Sequence, residues 1–154
     1  MFSISARLEA NLDPTSLLAA YGLEKGGRVQ RFIDQTVIDD CQPYVPASPD
    51  RTLEFSAQVS TEIGEGLVIY NTPYAHYQYM GIVYGPNIPI LDPETGVLMG
   101  FFSPPGRPKH PTDKKLTYDT SQNPLAGPHW FERSKADNLN KWLEGAERVA
   151  KMKE

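Results

Sequence analysis

Nine of the fourteen prolines in this chain fall between Pro86 and Pro128. Proline lacks an amide hydrogen and has a fixed φ, so a stretch punctuated this often cannot supply a helix interior or a central strand. The regular core must come from the residues on either side, and the proline-rich part must run over the surface. Its one clear apolar run, Val97–Phe102, comes after a turn at Asp92-Pro93-Glu94-Thr95-Gly96, and Ile88–Leu91 precedes that turn. Two apolar runs around such a turn predict a β-hairpin. The next segment, SPPGRPKHPTDKKLTYDTSQNPLAG, is too polar and proline-rich for a core element. Long stretches without regular structure are usually functional or disordered, and an insertion or arm over about 85–118 is expected.

Pro128 opens the most strongly periodic segment. Leu139, Trp142, Leu143, Ala146, Val149 and Ala150 recur at helical spacing to about Met152, with Glu and Lys opposite. The pattern predicts a long C-terminal helix that buries Trp142, Leu143 and Val149 against a sheet, at ~1.5–3 kcal/mol each. At the other end, Met1–Leu8 alternates apolar and polar residues, the period of a strand with one buried face. Asp13-Pro14 is an N-cap with proline at the first helical position and opens a short helix to about Tyr21, ended by Gly22. Leu23–Cys41 reads as a second helix, with Val29, Phe32, Ile33, Val37 and Cys41 inward and Arg28, Arg31, Asp34 and Asp40 outward. Gly26-Gly27 falls in its first turn, and Pro43 and Pro46 stop it.

Arg51–Gln58 reads as a brief helical or irregular stretch. Val59–Ile63 and Leu67–Tyr70 about Gly64-Glu65-Gly66 predict another hairpin, and TPYAHYQYMG a short helix ended by Gly81. The expectation is one α+β domain over 1–154: a small antiparallel sheet packed by helices, a long C-terminal helix and an extended hairpin or loop insertion.

Catalytic signatures are missing from the sequence. There is no G-x-S-x-G elbow, no H-E-x-x-H and no phosphate-binding G-x-x-x-x-G-K-[ST]. His76, His110 and His129 are isolated from one another, and Cys41, the only cysteine, ends an apolar stripe. The acids at Asp39-Asp40 and at Glu62 and Glu65 lie where carboxylates are normally solvated. No catalytic, cofactor-binding or metal-ligating residue is assigned, and no cofactor is expected. The net charge of −4 disfavours tight binding to a phosphate backbone, although Arg107, Lys109, His110, Lys114 and Lys115 share one loop. No apolar run approaches the ~20 residues of a membrane helix, and the start has no signal-peptide pattern. A soluble protein made in the cytoplasm is expected.

Aromatic density stands out instead: Tyr70, Tyr74, Tyr77, Tyr79 and Tyr84 fall within fifteen residues. Tyrosine buries a large ring and keeps a hydroxyl to bond, which enriches it at interfaces. Tyr70 and Tyr74 are expected inside, and Tyr77, Tyr79 and Tyr84 toward a partner. With the hairpin's Ile88, Ile90, Val97, Leu98, Phe101 and Phe102 they form the candidate interface.

Three stretches carry a family resemblance: GLEKGGRVQRFID with PYVP (Gly22–Pro46), VIYNTPYAHYQYMG (Val68–Gly81) and LTYDTSQNPLAGPHWFERSKAD (Leu116–Asp137). In order and spacing they resemble minor capsid proteins of tailed phages of Gram-positive hosts, related to the neck, or head–tail joining, proteins of long-tailed phages. SPDRTLEF stands where those proteins usually have an Asp-Thr-Gly-x-Leu turn, and Ile82–His110 is longer than the matching linker in shorter relatives.

The resemblance implies a virion protein of the neck, assembled in the host cytoplasm and placed between capsid and tail. It implies partners in copies of itself, a head-completion or stopper protein and a tail terminator protein. Genomic DNA would pass through the lumen without sequence-specific binding. A six-fold tail implies a hexameric ring; a twelve-copy portal would impose a dodecamer. Two alternatives remain at this point: a tail terminator or tail-completion component, and a small hydrolase using His76 or His129.

Overall fold

A computed structural model describes residues 13–152; the strand expected at Met1–Leu8 lies outside the described residues. The element order is α1 (Pro14–Ala20), α2 (Arg28–Cys41), a 3₁₀ turn (Gln42–Tyr44), α3 (Thr52–Ser60), α4 (Ala75–Met80), β1 (Ile82–Gly85), β2 (Ile88–Leu91), β3 (Leu98–Phe102), β4 (His110–Lys115) and α5 (Trp130–Ala150). The class is α+β, with antiparallel strands, a long C-terminal helix and an extended hairpin.

The first helix starts as its residues require. The Asp13 carboxylate accepts from the Thr15 and Ser16 amides at 3.1 and 3.2 Å, with Pro14 at the first position. The second helix begins later than expected, at Arg28 with Gly27 as its N-cap. Gly26 has φ +76°, and a Cβ on Gly27 would stand 2.6 Å from the Gly22 carbonyl oxygen. The glycine pair is therefore a tight turn ahead of the helix, not its first turn.

Arg28, expected to face solvent, instead reaches the end of α5. Its guanidinium donates to the carbonyls of Val149, Ala150 and Met152 at 3.1, 3.2 and 3.2 Å, and to Ala20 at 2.9 Å. The last carbonyls of a helix have no partner within it, and a cation there also opposes the negative end of the helix dipole. One side chain thus ties α1, α2 and the chain's last helix together.

The core lies where α5 crosses α2. Val37, Cys41, Tyr44, Val45, Leu53, Ala75, Trp130 and Trp142 form one buried cluster. Trp130 takes the Tyr79 ring at 4.6 Å and the Tyr70 ring at 5.2 Å, both edge-on, the favoured geometry for aromatic quadrupoles. The expected inward stripe of α5 is displaced by part of a turn. Its buried line runs Trp130, Ser134, Trp142 and Gly145, whereas Leu143 is 59% exposed. The partner is α2 and not a sheet, so the helices come close enough to favour small and polar contacts over leucine.

The polar contacts are specific. Ser134 Oγ donates to the Asp40 carbonyl at 2.8 Å, and Trp142 Nε1 and Lys141 Nζ both donate to the Asp40 carboxylate at 2.7 Å. Asp40 faces α5, contrary to the sequence expectation. Gly145 admits the Phe32 ring, whose Cζ would stand 2.4 Å from an added Cβ. We predict that Gly145→Val costs about 1–3 kcal/mol by overpacking, read as a shift of the urea midpoint. A variant as stable as the wild type would mean that Phe32 does not seat there.

The strands make two ribbons. β1 pairs antiparallel with β4, with Ile82 opposite Lys115 and Gly85 opposite His110. β4 falls within the stretch that composition marked as too polar and proline-rich for a core element. All six of its residues are exposed, so it is held by pairing and not by burial. β2 and β3 form the expected hairpin, with Ile88 opposite Phe102, Pro89 opposite Phe101, Ile90 opposite Gly100 and Leu91 opposite Leu98. The other expected hairpin does not form. Val59 belongs to α3, where it is 85% exposed, and Leu67–Tyr70 joins no helix or strand.

Candidate functional site: an apolar arm and an apolar groove

The β2–β3 hairpin departs most from a self-sufficient domain. Its turn is well made: Asp92 Oδ1 accepts from the Glu94 and Thr95 amides at 2.9 and 2.8 Å, Asp92 N–H donates to the Val97 carbonyl at 2.8 Å, and Gly96 takes φ +68°. Those amides hold the Asp92 carboxyl below its ordinary range. Beyond the turn, the register sorts Ile88, Ile90 and Phe102 onto one face and Pro89, Leu91, Leu98 and Phe101 onto the other. Neither face is polar.

Ile88, Ile90, Leu91, Val97, Leu98, Met99, Phe101 and Phe102 are all exposed, with Met99 at 68% and Phe101 at 62%. An ordinary antiparallel hairpin buries one face and solvates the other. Contiguous apolar patches of this kind on a folded protein mark surfaces made to be covered. Lys109 Nζ donates to Asn87 Oδ1 at 2.9 Å and clamps the arm's base.

The tyrosines divide differently from expectation. Tyr70 and Tyr79 both pack against the core, while Tyr74 is exposed. Burial pushes the Tyr70 hydroxyl up, and Tyr79 rises through burial and its bond to the Glu132 carboxylate. Glu132 is lowered in turn, chiefly by accepting from Tyr79. Tyr79 is thus half-buried against the core rather than fully outward. Tyr77 and Tyr84 remain half-buried, with ring centroids 4.9 Å apart, and each lies 5.8 Å from His76. That aromatic cluster spans α4 and β1, at the root of the arm.

A second surface, which pattern reading missed, is a cavity of about 560 Å³ between α2, the Leu67–Tyr70 segment and the start of α5. Ile33, Val37, Val68, Tyr70, Tyr79 and Trp130 give it an apolar floor, with Leu67, His76 and Phe131 at exposed positions. Asp34, expected to face solvent, is buried and holds this wall in place. Its Oδ2 accepts from the Gly64 and Gly66 amides at 2.8 and 3.1 Å, and Gln30 donates to Oδ1 at 2.7 Å. The one signal in the sequence was a carboxylate between Ile33 and Val37 on an otherwise apolar stripe.

Cys41, His76 and Asp34 all line this cavity, the residue types of a thiol triad, but their geometry opposes that chemistry. Burial pushes the Cys41 thiol up to about 11, away from the thiolate that a nucleophile needs. Asp34 is committed to backbone amides and Gln30, with no bond to His76. His129 sits apart at the N-cap of α5 with φ +50°. Among the described residues no group of three or more His, Cys, Asp or Glu could hold a metal ion, and no helix is long and apolar enough to cross a membrane.

The three stretches that carry the family resemblance fold onto one another. Asn123 Nδ2 donates to the Val45 carbonyl at 2.8 Å and to the buried Glu54 carboxylate, Gly127 N–H to the Tyr44 carbonyl at 3.1 Å, and His129 N–H to the Tyr79 carbonyl at 2.9 Å. Tyr118 donates to the Gln78 carbonyl at 2.6 Å. Together they form the body from which the arm extends. The chain matches no family model, no curated protein and no solved structure.

Proposed function

We propose that this chain is a structural protein of the phage virion neck, one subunit of an oligomeric ring that joins the DNA-filled head to the tail. The supporting observation is the β2–β3 hairpin, whose two apolar faces are uncovered in the single chain. A monomeric domain has no use for such an arm, whereas a subunit in a ring has a neighbour to place it on. Its neighbours along the particle axis would be a head-completion protein on one side and a tail terminator on the other. The acidic balance suits a DNA conduit, where carboxylates repel the backbone and leave the genome free to slide. The protein works through surfaces and carries out no reaction.

Deleting Asn87–Phe102 tests this reading. The arm contributes nothing to the core cluster, so the body is expected to keep its circular dichroism spectrum and thermal midpoint. In a phage carrying the deletion, filled heads and free tails should accumulate by electron microscopy. Joined particles should fall by on the order of a hundredfold, the factor that losing about 3 kcal/mol of contact energy produces. Undiminished joining by the folded deletion protein would refute the proposal.

A further inference from the structure

The groove and the arm are unpartnered surfaces on one chain, and their chemistry matches. We infer that the β2–β3 arm of each subunit docks in the groove of the next copy, beside Leu67–Tyr70. The inference deepens the ring reading above and rests on it.

Area is the first argument. Eight apolar side chains about half exposed present on the order of 900 Å² over the two faces of the arm together, so the face that enters the groove supplies about half of the ~800 Å² that one partner gives to a stable interface. The cavity of about 560 Å³ lies within the size range of real binding clefts. Its floor is apolar, so it would accept isoleucine and phenylalanine without stranding a charge, and Asp34 is already satisfied from within.

Backbone chemistry is the second argument. Leu67–Tyr70 belongs to no helix or strand, and among the described residues it makes no backbone–backbone hydrogen bond. Its Ile69 N–H donates to Thr61 Oγ1 at 3.0 Å, which leaves the backbone groups of Leu67, Val68 and Tyr70 for a neighbour. Such a segment can accept an added strand. The hairpin offers a matching edge, because β2 and β3 bond only to each other and each leaves its outer edge free. Adding that edge would place one apolar face on the groove floor. Ile82–Leu91 spans at most about 35 Å when extended, enough to cross from one small domain onto another.

Geometry is the third argument. Donor and acceptor are different regions of the chain, so a single arm–groove contact leaves one free groove and one free arm and can propagate until rotation closes a ring, whereas a reciprocal exchange of arms would close at a two-fold dimer. A face-to-face pairing of two arms would stop at a dimer.

The test mixes two full-length-derived variants. The first lacks Asn87–Phe102 and keeps its groove. The second keeps its arm and carries Leu67→Glu with Phe131→Glu, both at exposed positions of the groove wall, so neither change should unfold it. Circular dichroism confirms the fold of each. By light scattering, the wild-type protein should form closed oligomers and each variant alone should stay monomeric. The mixture should give a 1:1 complex of about twice the monomer mass of 17.2 kDa and nothing larger. Should the wild type oligomerise while the mixture stays monomeric, the groove is not the acceptor, and the ring reading survives. Oligomers of the Leu67→Glu, Phe131→Glu variant alone would likewise remove the groove. A wild type monomeric at every concentration, and still monomeric with head-completion and terminator rings present, would overturn both readings.

Discussion

Replacing Trp130 by alanine is expected to cost about 3–5 kcal/mol, much of the stability of a domain this size. The ring is 2% exposed and is gripped edge-on by Tyr70 and Tyr79. Truncation would leave a cavity beside Cys41 and Ala75, which the rigid α2–α5 pairing cannot collapse to fill. The two aromatic contacts add about 0.5–1.5 kcal/mol each beyond area. Trp130→Phe should lose about half as much, because it keeps a ring between the tyrosines. Urea denaturation of the three proteins checks this. A Trp130→Ala midpoint within experimental error of the wild type would mean that the core lies elsewhere. The same substitution strips the floor of the groove, so a folded remnant should also fail to accept the arm.

How much of this was legible from residues alone depended on whether the signal was local. The α1 cap at Asp13-Pro14 and the hairpin about Asp92–Gly96 are written in neighbouring side chains and form as read; α5 forms too, but at Trp130–Ala150, with Pro128 ahead of its His129 N-cap rather than in its first turn. Elements whose cause is distant were missed. β4 exists because β1 lies beside it; nothing in HPTDKK alternates. Leu67–Tyr70 has the composition of a strand but finds no ladder partner among the described residues. Apolar periodicity also placed α5 slightly wrongly, since it counts leucines. The contact with α2 is made by Ser134, Trp142 and Gly145, whose fitness depends on the helix they meet. Tyr74 lies exposed and Tyr79 half-buried against the core because α4 is too short for its period to choose a face. The arm was visible in sequence as apolar residues with no polar alternation. The groove was not, because four segments from Gln30 to Phe131 assemble it and its key polar residue looks solvated on a helical wheel.

That residue, Asp34, supports the second large prediction: Asp34→Ala should destabilise the fold by on the order of 3–5 kcal/mol and abolish assembly even where the protein remains folded. Among the described residues, the carboxylate is the only side chain that ties the Gly64–Gly66 turn to α2 through charge-assisted bonds; the Gly26 N–H to Gly64 carbonyl bond at 3.0 Å is a backbone tie nearby. Removing it leaves the Gly64 N–H buried and unpaired, at about 1–3 kcal/mol, together with the lost bonds themselves. Asparagine separates geometry from charge. Its oxygen can sit where Oδ2 accepts both glycine amides, while its nitrogen donates to a Gln30 amide turned to present its oxygen. Asp34→Asn should therefore lose about 1–2 kcal/mol, since neutral bonds are roughly half as strong as charge-assisted ones. It should keep the wall of the groove in place. Chemical denaturation ranks the three proteins, and hydrogen exchange at the Gly64 and Gly66 amides reports the turn directly. Equal losses in the two variants would show that charge, not the geometry of the three bonds, holds the turn. Fast exchange at Gly64 in the wild type would show that Asp34 does not hold it at all. Assembly should follow the turn, because a wall that detaches from α2 leaves a neighbour's arm no edge to join.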